Sequence, residues 1–545
     1  MPKEEMVFSR KASGLTRGLS FWDSFGVGFM NQGLTPSIWV VTTLGLGVYL
    51  GGNLIISTIM SVVLAGIGMP LVWGILGGSM PRSGGEYIYN SRILSPAIGI
   101  SESFVNAFVW IMWIYVQAPW IADPGMKMIA DFLGWEALAD FVTNLWGVYL
   151  IATITNILCF SCVVFGLKLF ARIQKVVMTL GIAGTTAICI VLSMYSQKDF
   201  IASWDRLAAQ YDSLPYDGFM AGVAEAAGSA MPTTWNWYDT FGLMTASAWL
   251  FAYAYVITFI AGEVKRPDKV ILSSNLAAIL VPGFFMLWTA IALYHMVPFE
   301  FLSSAMWLDN NGTELIADYS AGGATGYNLP WSPHYVGLMA VVNQNPVLLF
   351  FAGLSFILFD FWFIVLAYLA FPRIVFAWGM DRMGPKWFTS ISPRFASPVK
   401  NHLLCLALGQ ASITVYVFWV NNPMQGVAVT AVEVLSVWSV TAIAALLFPY
   451  RKRAQGIWES SPYRTWKILG IPVVSLGAGV DLVYLGIIAY FFFLAPVSTE
   501  DFGLFTGMLI VFMYAFGVAW YYYWKARSKR VGLDVGLAFG QLPPE

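Results

Sequence analysis

Charge is scarce in this 545-residue chain: Asp, Glu, Lys and Arg make up only 11% of it, against roughly a quarter in an ordinary soluble domain. So little charge excludes a fully solvated surface. The formal net charge of -1 gives no basic stripe for a nucleic acid, and no nucleic-acid partner is expected. Histidine is limited to His295, His334 and His402. No metal-ligand spacing, nucleophile elbow or phosphate-binding loop is present, so neither an enzyme nor a metal or organic cofactor is predicted. The four cysteines, Cys159, Cys162, Cys189 and Cys405, all fall in apolar stretches and imply no disulfide framework. Cys159 and Cys162 have the spacing of a metal or redox pair, but without a second Cys or His pair they read as small apolar side chains. Alternating segments of about ten residues, the mark of a membrane barrel, are also missing.

The chain is instead 58% hydrophobic and 16% aromatic, in long runs each sufficient to cross a hydrocarbon core of ~30 Å as a helix. Twelve runs lie near residues 20–45, 50–78, 97–122, 145–166, 169–195, 239–262, 270–297, 345–379, 400–420, 424–449, 470–494 and 502–525. The first follows Lys3, Arg10, Lys11 and Arg17 without a cleavage-type site, so it is read as a retained helix rather than a signal peptide. If the runs alternate from a cytoplasmic N-terminus, every Lys and Arg except Lys127, Lys198 and Arg206 lies on the cytoplasmic side. This is the bias of the positive-inside rule, and it places both termini in the cytoplasm.

Two runs have unsuitable residues for a plain helix. The first holds "SFGVGFMNQGLTPSIW", with Gly26, Gly28, Gly33 and Pro36 around Asn31, Gln32 and Thr35. The sixth holds "SAWLFAYAYVITFIAGEVKRP", crowded with aromatics. Irregular segments at corresponding places in two five-helix halves predict an inverted-repeat transporter whose site lies at the breaks. A broken helix in lipid leaves backbone N–H and C=O groups unpaired at several kcal/mol each, so the break must line a polar cavity. There the free N–H groups and half-helix dipoles suit a carboxylate, and the opposing ends suit an ammonium or a cation. An amino acid offers both. The expected substrate site comprises Gly26, Gly28, Asn31, Gln32, Gly33 and Thr35, with Trp249, Phe251, Tyr253 and Tyr255 as aromatic walls fit for an apolar or aromatic side chain. A Gly-rich packing helix and an aromatic packing face are the structural alternatives.

"PRSGGEYIY" at 81–89, "GLKLFARIQKV" at 166–176, "GEVKRPDK" at 262–269 and "RIVFAWGMDRMGPKWF" at 373–388 occur in this order, each on the predicted cytoplasmic side. Together they resemble the amino acid–polyamine–organocation transporters over roughly residues 18–450. The resemblance implies an all-α polytopic membrane protein of twelve transmembrane helices with a LeuT-like 5+5 inverted repeat, the first and sixth helices unwound. It departs at the substrate-facing places: the family's first-helix Gly-Ser-Gly is Asn31-Gln32-Gly33 here, and the sixth-helix Gly and acid are Tyr253 and Tyr255. The layout expected is a cytoplasmic N-terminus 1–19, a first repeat 20–195, an extracellular loop 196–238, a second repeat 239–450 with an extracellular loop 298–344, two peripheral helices in 451–527 and a cytoplasmic C-terminus 528–545. Both long loops are expected to fold over the outer mouth, and Asn311 heads a glycosylation sequon there.

Intramembrane acids are costly and usually functional. Asp360 in helix eight and Glu433 in helix ten are the candidate proton carriers, Asp360 the leading one. In the family fold, helix eight meets helix one at an ion site; here helix eight offers Ser355 as a single hydroxyl, too few oxygens for sodium. Glu102, Asn106 and Asp481 are expected to be packing groups. The resulting expectation is a plasma-membrane amino acid permease, embedded in lipid and coupled to H+ or Na+, with the proton favoured. A polyamine or organic-cation carrier, a sodium-coupled symporter, a non-transporting receptor and a membrane enzyme are the alternatives.

Overall fold

Ser20 starts the first helix by a reciprocal cap: its hydroxyl accepts from the Asp23 N–H, while the Asp23 carboxylate accepts from the Ser20 N–H at 3.0 Å. The helix that follows, α1 (Phe21–Asn31), is followed after Gln32 and Gly33 by α2 (Leu34–Trp39). The computed structural model describes residues 17–228, 231–420, 425–494, 499–540 and 542. Lys3, Arg10 and Lys11 therefore lie outside the described residues.

Eleven further helices among the described residues are long and apolar enough to cross a membrane. They begin with α3 (Leu54–Ser79). After the short α4 (Glu86–Ile93) come α5 (Pro96–Leu133), α6 (Leu145–Val164), α7 (Leu167–Met194) and α8 (Trp237–Phe251), the last continuing as a 3₁₀ segment, Tyr253–Phe259. The remainder are α9 (Pro267–Met296), α10 (Pro346–Met380), α11 (Val399–Val420), α12 (Val429–Leu447), α13 (Val473–Phe493) and α14 (Gly507–Arg530). Their starts obey helix chemistry: Ser95 caps α5 ahead of Pro96, and Asn345 caps α10 ahead of Pro346, where a missing N–H costs nothing. With the broken α1–α2 segment, the helices follow the twelve apolar runs, and the fold is an all-α polytopic membrane protein.

The first helix breaks where the sequence suggested. Gly33 has φ +56° and ψ 61°, a left-handed conformation that costs glycine nothing, and it resets the chain direction between α1 and α2. The sixth segment yields differently: α8 ends at Phe251, then seven residues run as 3₁₀ helix, and Ile260 and Val264 leave helical geometry altogether. Further irregularities were not anticipated, two of them beside site residues. Wider π turns occur at Ile121–Met126 in α5, where Asp123 has extended φ/ψ between Pro119 and Pro124, and at Val434–Trp438, immediately after Glu433 in α12.

The face that carries the basic residues is tied together by backbone hydrogen bonds and ion pairs. Gly18 and Leu19 N–H groups donate to the Glu263 carbonyl, and the Lys265 N–H donates to the Leu19 carbonyl. Lys175 pairs with Asp23 at 2.9 Å, Arg92 with Asp381 at 2.7 Å and Arg373 with Glu263 at 3.4 Å. At the opposite face the long connections are folded rather than open. Helices Gln197–Gln210, Tyr216–Ala226 and Phe299–Asn311 meet through Trp204, Phe219 and Phe301, with ring centroids 4.7 to 5.0 Å apart.

Candidate functional site

The two breaks tie each other. The Asn31 amide donates to the Tyr253 carbonyl at 2.9 Å, and the Tyr253 N–H donates to the Gln32 side-chain oxygen at 3.1 Å. Two polar side chains of the first break thus satisfy both backbone groups of one residue in the second, which answers the cost of breaking a helix in an apolar medium. Ser37 closes the gap on its own side by donating to the Gln32 carbonyl at 2.6 Å. Gly28 permits the approach, because a Cβ there would stand 3.1 Å from the Ala254 carbonyl oxygen. Gly26, two residues earlier, meets the Gln174 amide of α7 and is a helix-contact position within α1.

The tie leaves groups over. The Asn31 side-chain oxygen and the Gln32 side-chain nitrogen have no hydrogen-bond partner among the described residues, and neither do the indole N–H groups of Trp73, Trp110 and Trp438. Those indoles stand against the sixth segment: Trp73 lies 4.4 Å from the Tyr255 ring, Trp110 6.3 Å from it, and Trp438 5.1 Å from the Tyr253 ring. Trp113 meets Trp249 and Tyr253 edge-on at 5.0 and 5.5 Å, and Phe363 of α10 completes the enclosure at 5.6 Å from Tyr253. Trp249 also stacks on Trp120 at 5.6 Å, which in turn meets Trp39, so three indoles cover one side of the enclosure. Phe251 is buried but makes no ring contact with this group among the described residues. Trp73, Trp110, Trp113, Trp438 and Phe363 were not expected from the sequence. The three-residue spacing of Trp110 and Trp113, which puts both on one helix face, was the available signal.

Glu433 enters this enclosure from α12. Tyr253 OH donates to its Oε2 at 2.5 Å, Trp113 Nε1 to the same oxygen at 3.1 Å, and Tyr255 OH to Oε1 at 3.0 Å. The carboxyl has no exposure. Asp360 has a different setting: neither of its oxygens has a hydrogen-bond partner among the described residues, and the Cys159 thiol on α6 lies within electrostatic reach of it. It does not join the other site residues.

Thr35 and Ser355 do come together, and a third hydroxyl joins them. Thr35 lies 2.6 Å from the Ser355 hydroxyl and 2.7 Å from that of Thr185 on α7, and both Thr185 and Ser355 donate to the Gly181 carbonyl. Counting hydroxyls on helix eight alone found one; the packing of α2, α7 and α10 assembles three. Among the described residues no group of His, Cys, Asp and Glu is arranged to hold a metal ion.

The arrangement is therefore a buried aromatic enclosure at two tied helix breaks, with unfilled donors and an acceptor around it, one carboxyl in its wall and a hydroxyl cluster beside it. No curated protein matches the chain. The sequence profile of one family, described as amino acid permease, matches residues 19–520, from the start of the first helix to within the last. The chain belongs to the amino acid permease family, within the amino acid–polyamine–organocation superfamily.

Proposed function

We propose that the protein is a secondary active transporter that carries an amino acid across the plasma membrane by alternating access, with both termini cytoplasmic and a proton as the coupling ion. The observation that carries the reading is the pair of tied breaks with polar groups left over. Gln32 and the three indoles offer donors to a carboxylate, and Asn31 offers an acceptor to an ammonium. The enclosure of Trp113, Trp249, Tyr253, Tyr255 and Phe363 suits an apolar or aromatic side chain. Breaks in the first and sixth crossings agree with two inverted five-helix repeats and peripheral α13 and α14.

Of the two candidate acids, Glu433 is the better placed to couple, because its carboxyl bonds both tyrosines of the sixth segment. Asp360 has no such contact. A second reading has its own support: the Thr35, Thr185 and Ser355 hydroxyls with the Gly181 carbonyl supply oxygens of the kind sodium takes. A third, carriage of a polyamine or organic cation, draws on one carboxyl set among aromatic faces. Proteoliposome uptake of labelled amino acids and polyamines under separately imposed proton and sodium gradients distinguishes them. Amino acid accumulation driven by the proton gradient alone is expected. Uptake of polyamines only would overturn the substrate, and dependence on sodium at every pH would overturn the coupling ion.

A further inference from the structure

Behind Glu433, toward the basic face, the chain turns back at Leu94 and Ser95 so that α4 and the start of α5 lie side by side. Glu86 and Asn90 are four residues apart on α4, as are Glu102 and Asn106 on α5, so each pair projects from one helix face. The two pairs cross: the Asn90 amide donates to Glu102 Oε2 at 2.9 Å and to the Thr441 hydroxyl at 3.1 Å, and the Asn106 amide faces the Glu86 carboxyl. All four side chains are fully buried. Six of their atoms have no hydrogen-bond partner among the described residues. They are both oxygens of Glu86, Oε1 of Glu102, Oδ1 of Asn90 and both polar atoms of Asn106.

The pattern of those six atoms is informative. Five are acceptors and one, the Asn106 nitrogen, is a donor, so what the cluster lacks is hydrogen. One proton on each carboxyl supplies it. Protonated Glu102 donates from Oε1 to Asn90 Oδ1 and closes a two-bond acid–amide ring with the existing Asn90 contact. Protonated Glu86 forms the same ring with Asn106, donating to its oxygen and accepting from its nitrogen, and every one of the six atoms is then paired. The titratable groups that face the two glutamates from neighbouring elements are Glu433 on α12, Tyr255 on the sixth segment and Tyr514 on α14. None is a cation, and Arg92 on the same short helix is committed to Asp381.

We propose that Glu86 and Glu102 form a proton-binding pair, each proton held in a ring with an asparagine amide, through which Glu433 exchanges protons with the basic face. The proposal rests on the proton-coupled reading above and extends it to two residues of no assigned role. When Glu433 takes up a proton from this pair, an O–H bond breaks at Glu86 and one forms at Glu433. The total charge of the carboxyls is unchanged; an O–H bond then breaks at Glu102 as one re-forms at Glu86, and Glu102 takes its replacement proton from water at the basic face.

Glu86→Gln and Glu102→Gln keep the size of each side chain and can still pair with the opposing amide, so both variants are expected to fold; a melting curve in detergent checks this. Two readouts then apply. Infrared absorption of the reconstituted protein, which needs no substrate, is expected to lose one buried protonated-carboxyl band in each variant. Proton uptake per labelled substrate, measured as lumenal pH change in proteoliposomes, is expected to be lost in both. Infrared bands identical to the unmodified protein would overturn the proposal, as would an unchanged proton-to-substrate ratio. A sodium-dependent rise in melting temperature that requires both glutamates would also overturn it, and would give the cluster to an alkali cation. Should the protein carry no amino acid at all, the functional reading fails while the infrared result still decides the protonation of this pair.

Discussion

Glu433 and Asp360 are both buried acids in membrane helices, yet the protein treats them oppositely. Glu433 has three donors on its oxygens, two of them from the sixth segment where the helix is broken. Asp360 has none, and its helix uses the neighbouring positions instead: Ser355 bonds Thr35, and Phe359 meets Phe29 edge-on at 5.9 Å. A residue one step further along the helix is turned by about 100°, so Asp360 looks toward α6 and away from the first break. Burial marks a costly group, but only contact with a segment able to change conformation lets that cost be communicated.

The strongest way to break this contrast is Glu433→Ala, which strands two phenols and an indole N–H at about 1–3 kcal/mol each. Cation-driven accumulation is expected to fall by about 100-fold or more; near-normal accumulation would make Glu433 a bystander. Next in size is Gln32→Ala, which leaves the Tyr253 N–H unpaired and should lower initial uptake by roughly 10- to 100-fold at about 1–3 kcal/mol per lost partner. Initial rates in proteoliposomes, with Asn31→Ala as the companion, show whether the tie itself matters. Tyr255→Phe sharpens the comparison by removing one hydrogen bond from Glu433, and a loss of roughly two- to tenfold is expected for a single hydrogen bond of about 0.5–1.5 kcal/mol. An uptake rate equal to that of the unmodified protein would show that the Oε1 contact carries no function.

The same distinction extends to the long connection between α9 and α10, where His334 accepts from the Gly337 N–H through Nδ1 and is 5% exposed. Burial holds its pKa down at about 3, from an ordinary 6.5. A depressed histidine stabilises the folded form above the unfolded value and loses that contribution as pH falls, because the unfolded state then binds the additional proton. The protection of helix Tyr335–Val342 against hydrogen exchange, after division by the intrinsic exchange rate at each pH, is expected to fall progressively as pH drops from 6.5 toward 3 and to be flat above 6.5; equal protection throughout would refute this role for His334. The smallest effect is assigned to Asp360→Asn: uptake under a proton gradient within about twofold of normal, since no hydrogen bond is lost. Loss of proton-driven uptake in that variant would reverse the contrast entirely.

Long apolar runs, capping residues and the paired irregular segments made the helices and both breaks legible, because these depend on local chemistry that a linear pattern records. The aromatic residues from α3, α5, α10 and α12 were not legible, since nothing in a single helix shows which face meets the breaks. Asp360 and Glu433 were indistinguishable for the same reason: both sit in apolar surroundings, and only packing separates them. Ser355 looked isolated until α2 and α7 brought Thr35 and Thr185 to it. Glu86 and Glu102 were the least readable, one inside a loop motif and the other resembling a packing residue, because their meaning lies in a cross-pairing between two helices.

One feature of the basic face bears on motion. Leu19 and Val264 pair as a parallel bridge, secured by the Glu263 carbonyl and the Lys265 N–H, so the starting end of the first helix and the finishing end of the sixth are one mechanical piece. Two levers that would otherwise swing independently are yoked. The whole yoke is fastened to its surroundings by side-chain pairs: Asp23 to Lys175 and Glu263 to Arg373. Under the proposed alternating access, opening toward this face would be a single-degree-of-freedom movement in which both broken helices travel together, with two latches rather than two hinges setting how often it occurs.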